Sequence, residues 1–320
     1  VAAARRDAAG RRGAVTGLPS AVEGSVLTVG SFDGVHMGHR EVLARLTARA
    51  RASGLASVLV TFDPHPLEVV HPAAAPMLLT VGKEKSEVLA ESEVDYVVVL
   101  PFTTTLASYT ATQFVEEILI RRLRMREILI GHDHGFGRNR GGNVDMLRAM
   151  APSHGFAVDV IPAIGNDHGH AFSSTAIRRA VAGGDLDRAA QALGRPYAVS
   201  GTVVAGAGRG RALGFRTLNL APPSPRKLLP PEGVYAVRAQ TPRGAFGGMM
   251  NLGGRPTFGE DGIKLEAHLF DAAEELYGAH VRIDFLARLR AVQRFASPAA
   301  LMAQLGADEV AARAVLAGRA

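Results

Sequence analysis

The 320-residue chain has no cysteine and no tryptophan, and aromatic residues make up only 6% of it. Without cysteine there are no disulfides, thiolate metal sites or thiol nucleophiles, so any metal must be held by oxygen or imidazole. That composition fits a reducing cytoplasm, the expected location. The shortage of aromatics argues against a binder of single-stranded nucleic acid, which needs ring platforms for the bases. No apolar run reaches the roughly 18 residues of a membrane helix, so no membrane partner is expected. The opening "VAAARRDAAGRRGAV" has arginines but no apolar stretch behind them, and residues 1–20 are expected to be a flexible basic tail rather than a signal peptide. What remains is an ordinary globular composition, 47% hydrophobic and 21% charged, with length for two domains. The formal charge of +6 suits anionic small molecules, nucleic acid or acidic membranes.

Up to about residue 190, short β-branched runs such as "SVLTV", "SVLVTF" and "DYVVVL" alternate with helix-like segments such as "REVLARLTARA" and "TQFVEEILIRRL". Strands apolar on both faces, alternating with helices, predict a doubly wound parallel sheet covered by helices. Ligands in such sheets bind beyond the carboxyl ends of the strands. Three candidate segments fall there: the turn after Val29, "DPHP" (Asp63 to Pro66), and "GHDHGFGRNRGG" (Gly131 to Gly142). Near Gly194 the texture changes to short strands broken by glycine and proline, and "SPAALMAQLGADEVAARAVL" reads as a terminal helix. The expected domains are therefore 1–193 and 194–320.

In "VGSFDGVHMGHREVLARL", Gly30 and Gly34 permit a tight turn and Gly38 permits close approach of a ligand to the backbone. The following helix points free N–H groups at the turn, a ready site for an anion. His36 and His39 add hydrogen-bond donors able to stabilise charge that builds on a triphosphate under attack. A zinc protease pattern is a poorer fit, because it needs histidines four apart with an intervening glutamate. Loop or capping histidines are the bland alternative.

These residues carry a resemblance. "GSFDGVHMGH" resembles the signature of the HxGH nucleotidyltransferases, which implies that Gly30, Phe32, Asp33 and Gly38 bind ATP while His36 and His39 stabilise its phosphates. "FSSTAIRRAVAGGDLDRAAQALGRPY" resembles the second signature of bacterial FAD synthetases, and Ser174, Thr175 and Arg178 match that family's phosphate-binding serine, threonine and arginine. "TFDPHP" and "GHDHGFGRNRGG" match internal motifs of the same family. There the resemblance gives Asp63, His65 and Asp133 contacts to ribose, base or flavin, and Phe136 a ring to stack on. The chain departs from the pattern at His134, where the family has an aromatic residue.

The second half is similar to the riboflavin kinase module of bifunctional bacterial enzymes, through "SGTVVAGAGRGRALGFRTLNLAPP", "MNLGGRPTFG" and "LEAHLFD". The resemblance implies a small β-barrel with a C-terminal helix. Gly208, Arg209, Gly210 and Gly214 make a flexible basic loop suited to phosphate; no G-K-[ST] follows, so it is not a Walker A loop. Thr217 and Asn219 match the family's magnesium and phosphate residues, and both offer the neutral oxygens Mg²⁺ accepts. In "IKLEAHLF", Lys264, Glu266 and His268 alternate with apolar residues and share the polar face of a strand. Glu266 matches the family's catalytic glutamate. The usual Pro-Thr-Ala-Asn signature reads "RTLN" here, with Arg216 for proline and Leu218 for alanine.

The expected activities are phosphorylation of riboflavin to FMN by ATP, with Mg²⁺, and adenylylation of FMN to FAD. Two alternatives stand beside this reading: a monofunctional FMN adenylyltransferase with a degenerate kinase domain, and a non-catalytic flavin- or RNA-binding regulator. ATP and flavins account for the basic charge without a nucleic-acid partner. Homo-oligomerisation is left open by the sequence.

Overall fold

A computed structural model describes residues 2–6, 12–15, 18–131, 135–138, 141–162, 165, 172–206, 215, 217–221, 224–253, 264–272 and 276–319, the first two segments as backbone only. The chain forms two compact units, Val1–Pro76 with Ser86–Ser173, and Met77–Lys85 with Ser174–Ala320.

In the first unit the strands are β1 (Ala2–Arg6), β2 (Arg12–Val15), β3 (Ser25–Val29), β4 (Ala56–Asp63), β5 (Tyr96–Pro101), β6 (Met125–Gly131) and β7 (Ala157–Ile161), ordered β2-β1-β5-β4-β3-β6-β7. From β5 to β7 all pairs are parallel. The helices are α1 (Met37–Ser53), α2 (Pro66–Val70), α4 (Thr104–Ser108), α5 (Ala111–Gln113, continued by a π-helical stretch Phe114–Arg122) and α6 (Val144–His154), and α3 (Gly82–Ala90) is divided between the two units after Lys85. Every residue of β3 is buried. Its side chains alternate between two cores: Leu27 and Val29 pack with Val58, Val60 and Phe114, whereas Val26 packs with Leu59, Val97 and with Leu43 and Leu46 of α1. This two-sided burial is why the strand reads as a continuous apolar run, and each fully buried leucine contributes about 1.5–3 kcal/mol. α1 stops at Gly54, whose φ of 65° suits the left-handed cap that returns its N–H to Ala50 and Arg51.

Within residues 1–20, expected as a flexible tail, β1 and β2 are paired strands. The backbones of β1 and β2 pair antiparallel, and β1 lies antiparallel on β5. The physical reason is that β5 would otherwise expose an unpaired strand edge.

The second unit is a closed antiparallel barrel, β10-β11-β12-β9-β8-β13 in order, made of β8 (Tyr197–Val204), β9 (Leu218–Leu220), β10 (Gly233–Thr241), β11 (Gly244–Gly253), β12 (Lys264–Leu269) and β13 (His280–Arg290). Helices α7 (Ser174–Ala182) and α8 (Leu186–Leu193) bury Ile177, Val181, Ala189 and Leu193 in the same core as Tyr235, Leu265 and Phe285 of the barrel. That shared core places α7 and α8 in the same compact unit as the barrel. Gly194 ends α8 in the left-handed region, φ 69°. On the barrel's outer face α9 (Pro298–Ala317) packs Ala312 and Leu305 against Ala236, Met249 and Phe270. Arg290 fastens it by a forked pair to Asp308, with Nη2 to Oδ2 at 2.7 Å and Nε to Oδ1 at 2.9 Å.

Candidate active sites

Because β4, β3 and β6 are adjacent and parallel, their carboxyl ends bring the histidine turn, Asp63–Pro66 and the Gly131 loop to one edge of the sheet. This is where ligands bind in such folds. At the turn, His36 is the N-cap of α1: its Nδ1 accepts from the backbone N–H of His39 at 3.3 Å. An Nδ1 that accepts leaves the proton of the neutral ring on Nε2, which makes that edge a donor. The two imidazoles stack, centroids 3.7 Å apart at 14°, and the Phe32 ring lies 4.7 Å from His39. His36 is only 6% exposed and Asp33 only 3%. No carboxylate occupies the first turn of α1, so the positive end of the helix dipole is not offset there.

The glycines act differently from the sequence expectation. Gly34 has the positive φ, 81°, but so do Phe32 at 45° and Val35 at 42°. Positive φ at Phe32 and β-branched Val35 stores about 1–3 kcal/mol each, held by the burial of both side chains. Gly30 is required for space: a Cβ there would meet the Phe32 ring at 2.9 Å. At Gly38 a Cβ would meet His36 Nδ1 at 3.2 Å, so the room it leaves is taken by the capping imidazole.

Asp63 is exposed at the end of β4 and its peptide bond to Pro64 is cis. His65 caps α2, its Nδ1 accepting from Leu67 N–H at 3.2 Å, while Glu68 returns a bond to the His65 N–H at 3.1 Å. Phe136, expected to stack on a ligand ring, is 9% exposed and packs in the core, 6.0 Å from Phe114. A Cβ on Gly142 would meet that ring at 2.6 Å, so glycine there leaves the ring its space. Asp133 and His134 lie outside the described residues.

In the second unit, Ser174, Thr175 and Arg178 occupy the first turns of α7, and Arg178 donates from Nε to the Met77 carbonyl at 2.9 Å. On the barrel, β12 alternates as expected: Leu265, Ala267 and Leu269 are buried and Lys264, Glu266 and His268 half-buried. Glu266 lies in register with Asn219 of β9 on one side and Asn251 of β11 on the other. Cross-strand partners share a face, with Cβ atoms about 4.5–5.5 Å apart, so two carboxamides flank the carboxylate. Asn251 was not among the residues expected from the sequence. The alternation in "LEAHL" gives the face of Glu266, but its neighbour on β11 is set by a pairing no short-range pattern encodes. Thr217 is exposed just before β9. Gly208, Arg209, Gly210, Gly214 and Arg216 lie outside the described residues. Among the described residues no group of three or more His, Asp or Glu could hold a metal ion. The hydroxyl of Thr217 and carboxamide oxygen of Asn219 fit Mg²⁺, which keeps waters and takes phosphate oxygens beside one or two protein ligands.

The FAD synthetase family model matches residues 18–176, and the riboflavin kinase model matches residues 193–316. The chain is 39% identical over 295 residues to the bifunctional riboflavin kinase/FMN adenylyltransferase of Escherichia coli (strain K12), covering 91% of this chain and 92% of that protein. The protein of the same name from Pseudomonas fluorescens is 39% identical over 295 residues, covering 92% and 94%. A solved structure described as a macrolide-efflux protein from Streptococcus pneumoniae is 30% identical, with a TM-score of 0.79 over 93% of this chain and 95% of that one. Among the described residues no helix is long and apolar enough to cross a membrane.

Proposed function

Since the chain belongs to the bifunctional riboflavin kinase/FMN adenylyltransferase family, we propose how its residues divide the two reactions. The chain phosphorylates riboflavin to FMN with ATP, then adenylylates FMN with a second ATP to give FAD and pyrophosphate. We assign the adenylylation to residues 1–193 and the kinase reaction to 194–320.

In the adenylyl transfer, a phosphate oxygen of FMN attacks the α-phosphorus of ATP and the bond to pyrophosphate breaks. No side-chain nucleophile is needed. Charge on the phosphates is met by the Nε2–H of His36, by His39, by the N–H groups opening α1 and by Arg178. Ser174 and Thr175 add hydroxyl donors, and Gly30, Phe32, Asp33 and Gly38 shape the ATP side of the turn. Asp63, His65 and Asp133 are kept as contacts to flavin or adenosine, and so is Phe136, whose ring packs beside Phe114. The observation that carries this half is His36 at the cap of α1, stacked on His39 at the carboxyl edge of the sheet.

In the kinase reaction, Glu266 takes the proton of the terminal ribityl hydroxyl as that oxygen attacks the γ-phosphorus, and ADP leaves. Thr217 and Asn219 would hold Mg²⁺, which neutralises charge on the nucleotide phosphates. The loop carrying Gly208, Arg209, Gly210 and Gly214 supplies backbone N–H groups and a guanidinium to the same phosphates. Asn251, in register with Glu266, orients the carboxylate or the ribityl hydroxyls. A cytoplasmic location is part of the same proposal, and a chain with no cysteine suits that reducing compartment.

The test is to incubate the full chain with ATP and Mg²⁺ and either riboflavin or FMN, and separate the flavins by chromatography. FAD from both is expected. FAD from FMN alone would mean a monofunctional adenylyltransferase, and conversion of neither would refute the catalytic reading.

A further inference from the structure

The end of β8 lies along β9, with Val204 paired to Asn219 and Val203 to Leu220. Two residues beyond Val204 the chain passes Gly206. A Cβ built there would lie 1.9 Å from Asn219 Nδ2, 2.6 Å from its Cγ and 3.0 Å from its Oδ1. No side chain fits at 206 while the carboxamide keeps its place, because non-bonded carbon contacts are favourable only near about 3.5–4.0 Å. Gly206 is not among the glycines of positive φ. Its φ is therefore one that other residues adopt, and the visible demand for glycine comes from Asn219. On its other side Asn219 is the register partner of Glu266. The carboxamide is thus confined between the Gly206 backbone and the strand that carries the proposed base.

We propose that Gly206 is a positioning residue of the kinase site: by lacking a side chain it seats the Asn219 carboxamide beside Glu266, where its oxygen serves the metal and phosphates of ATP. This rests on the role given to Asn219 above. A methyl group at 206 displaces the carboxamide, and a displacement near 1 Å at a reacting centre costs up to about a hundredfold in rate.

The experiment compares Gly206→Ala, Asn219→Ala and the double variant of the full chain in two readouts, melting temperature without ligands and kcat/KM for riboflavin phosphorylation. Adenylylation of FMN serves as an internal control and should stay unchanged. Gly206→Ala is expected to lower the melting temperature and to cut kinase kcat/KM about 10- to 100-fold. In the Asn219→Ala background, where nothing is left to displace, the same substitution is expected to change neither. Additive losses in both readouts would overturn the proposal, because glycine would then serve the loop's own backbone. Coupled melting with a fully active Asn219→Ala kinase would overturn the role of Asn219, and the proposal with it. Uncoupled melting with an inactive Asn219→Ala kinase would overturn the proposal alone. If Gly206→Ala does not fold, Gly206→Ser in both backgrounds is read by the same criterion, with rescue by Asn219→Ala required.

Discussion

Replacing Lys227 with methionine tests how the segment Met77–Lys85 is held in the second unit. Lys227 Nζ is buried and donates to both carboxylate oxygens of Glu84, at 2.8 and 2.9 Å, and to the Leu79 carbonyl at 2.6 Å. It also lies 4.5 Å from the centroid of the Tyr197 ring. Burial already pushes the Glu84 carboxyl above the usual carboxylate range, against the pull of Lys227. A carboxyl raised on folding contributes stability that is present at low pH and lost as pH rises through its folded value. Without Lys227 that effect grows, since Glu84 must stay charged with only the Val81 N–H, at 3.3 Å, as a hydrogen-bond partner among the described residues, or take up a proton. Protonation against the ordinary value of 4.5 costs about 1.4 kcal/mol per pH unit, hence about 3 kcal/mol at pH 7 and under about 1 kcal/mol at pH 5. Adding the lost hydrogen bond to Leu79, Lys227→Met should cost about 3–5 kcal/mol at pH 7. Denaturant unfolding at pH 7 and pH 5 measures it, and the deficit should shrink on acidification. Lys227→Met with Glu84→Leu should recover most of the loss. A deficit under about 1 kcal/mol at pH 7, or one independent of pH, would refute the reasoning. The loss should also reach FAD formation, because the segment pairs Leu78 with Lys227 and supplies the Met77 carbonyl bound by Arg178.

Three further outcomes are expected. Burial also raises the Asp284 carboxyl, outweighing Arg282 at 2.9 Å; stability should therefore fall as pH climbs from the ordinary carboxylate range through the folded value, and urea midpoints of Asp284→Asn should be flat over that window. Arg290→Met leaves Asp308, whose side chain is 3% exposed, without its forked partner; it should cost about 3–5 kcal/mol and expose the α9 junction to limited proteolysis. Asn251→Ala should lower riboflavin phosphorylation about 10- to 100-fold in kcat while leaving FMN adenylylation unchanged, measured by initial rates from each flavin.

The parallel sheet was legible because β3, β4 and β5 are buried on both faces and must be apolar throughout, and the turn after β3 because a histidine that caps a helix sits where a Ser or Asp would. The β1–β2 pair at the sheet edge was not, since an Ala/Arg-rich stretch has little strand propensity and its pairing depends on the edge of β5. That α7 and α8 share a core with the barrel was not legible either, because in sequence they look like the last helices of an α/β unit. Phe136 shows what the sequence leaves out: an aromatic among glycines reads as a ligand platform, and its packing 6.0 Å from Phe114 appears only in three dimensions. The Lys227–Glu84 pair joins residues 143 apart, and the Asn219–Glu266–Asn251 row spans three strands, so both become visible only in three dimensions.

The most direct test of the division of labour is one flavin chromatogram of each of two variants, His39→Ala and Glu266→Ala, supplied with ATP and Mg²⁺ and with either riboflavin or FMN. His39→Ala should accumulate FMN from riboflavin and make no FAD from either substrate. Glu266→Ala should leave riboflavin unchanged and still convert FMN to FAD. If folded His39→Ala still makes FAD, or folded Glu266→Ala still makes FMN, the residue concerned does not carry the reaction assigned to it.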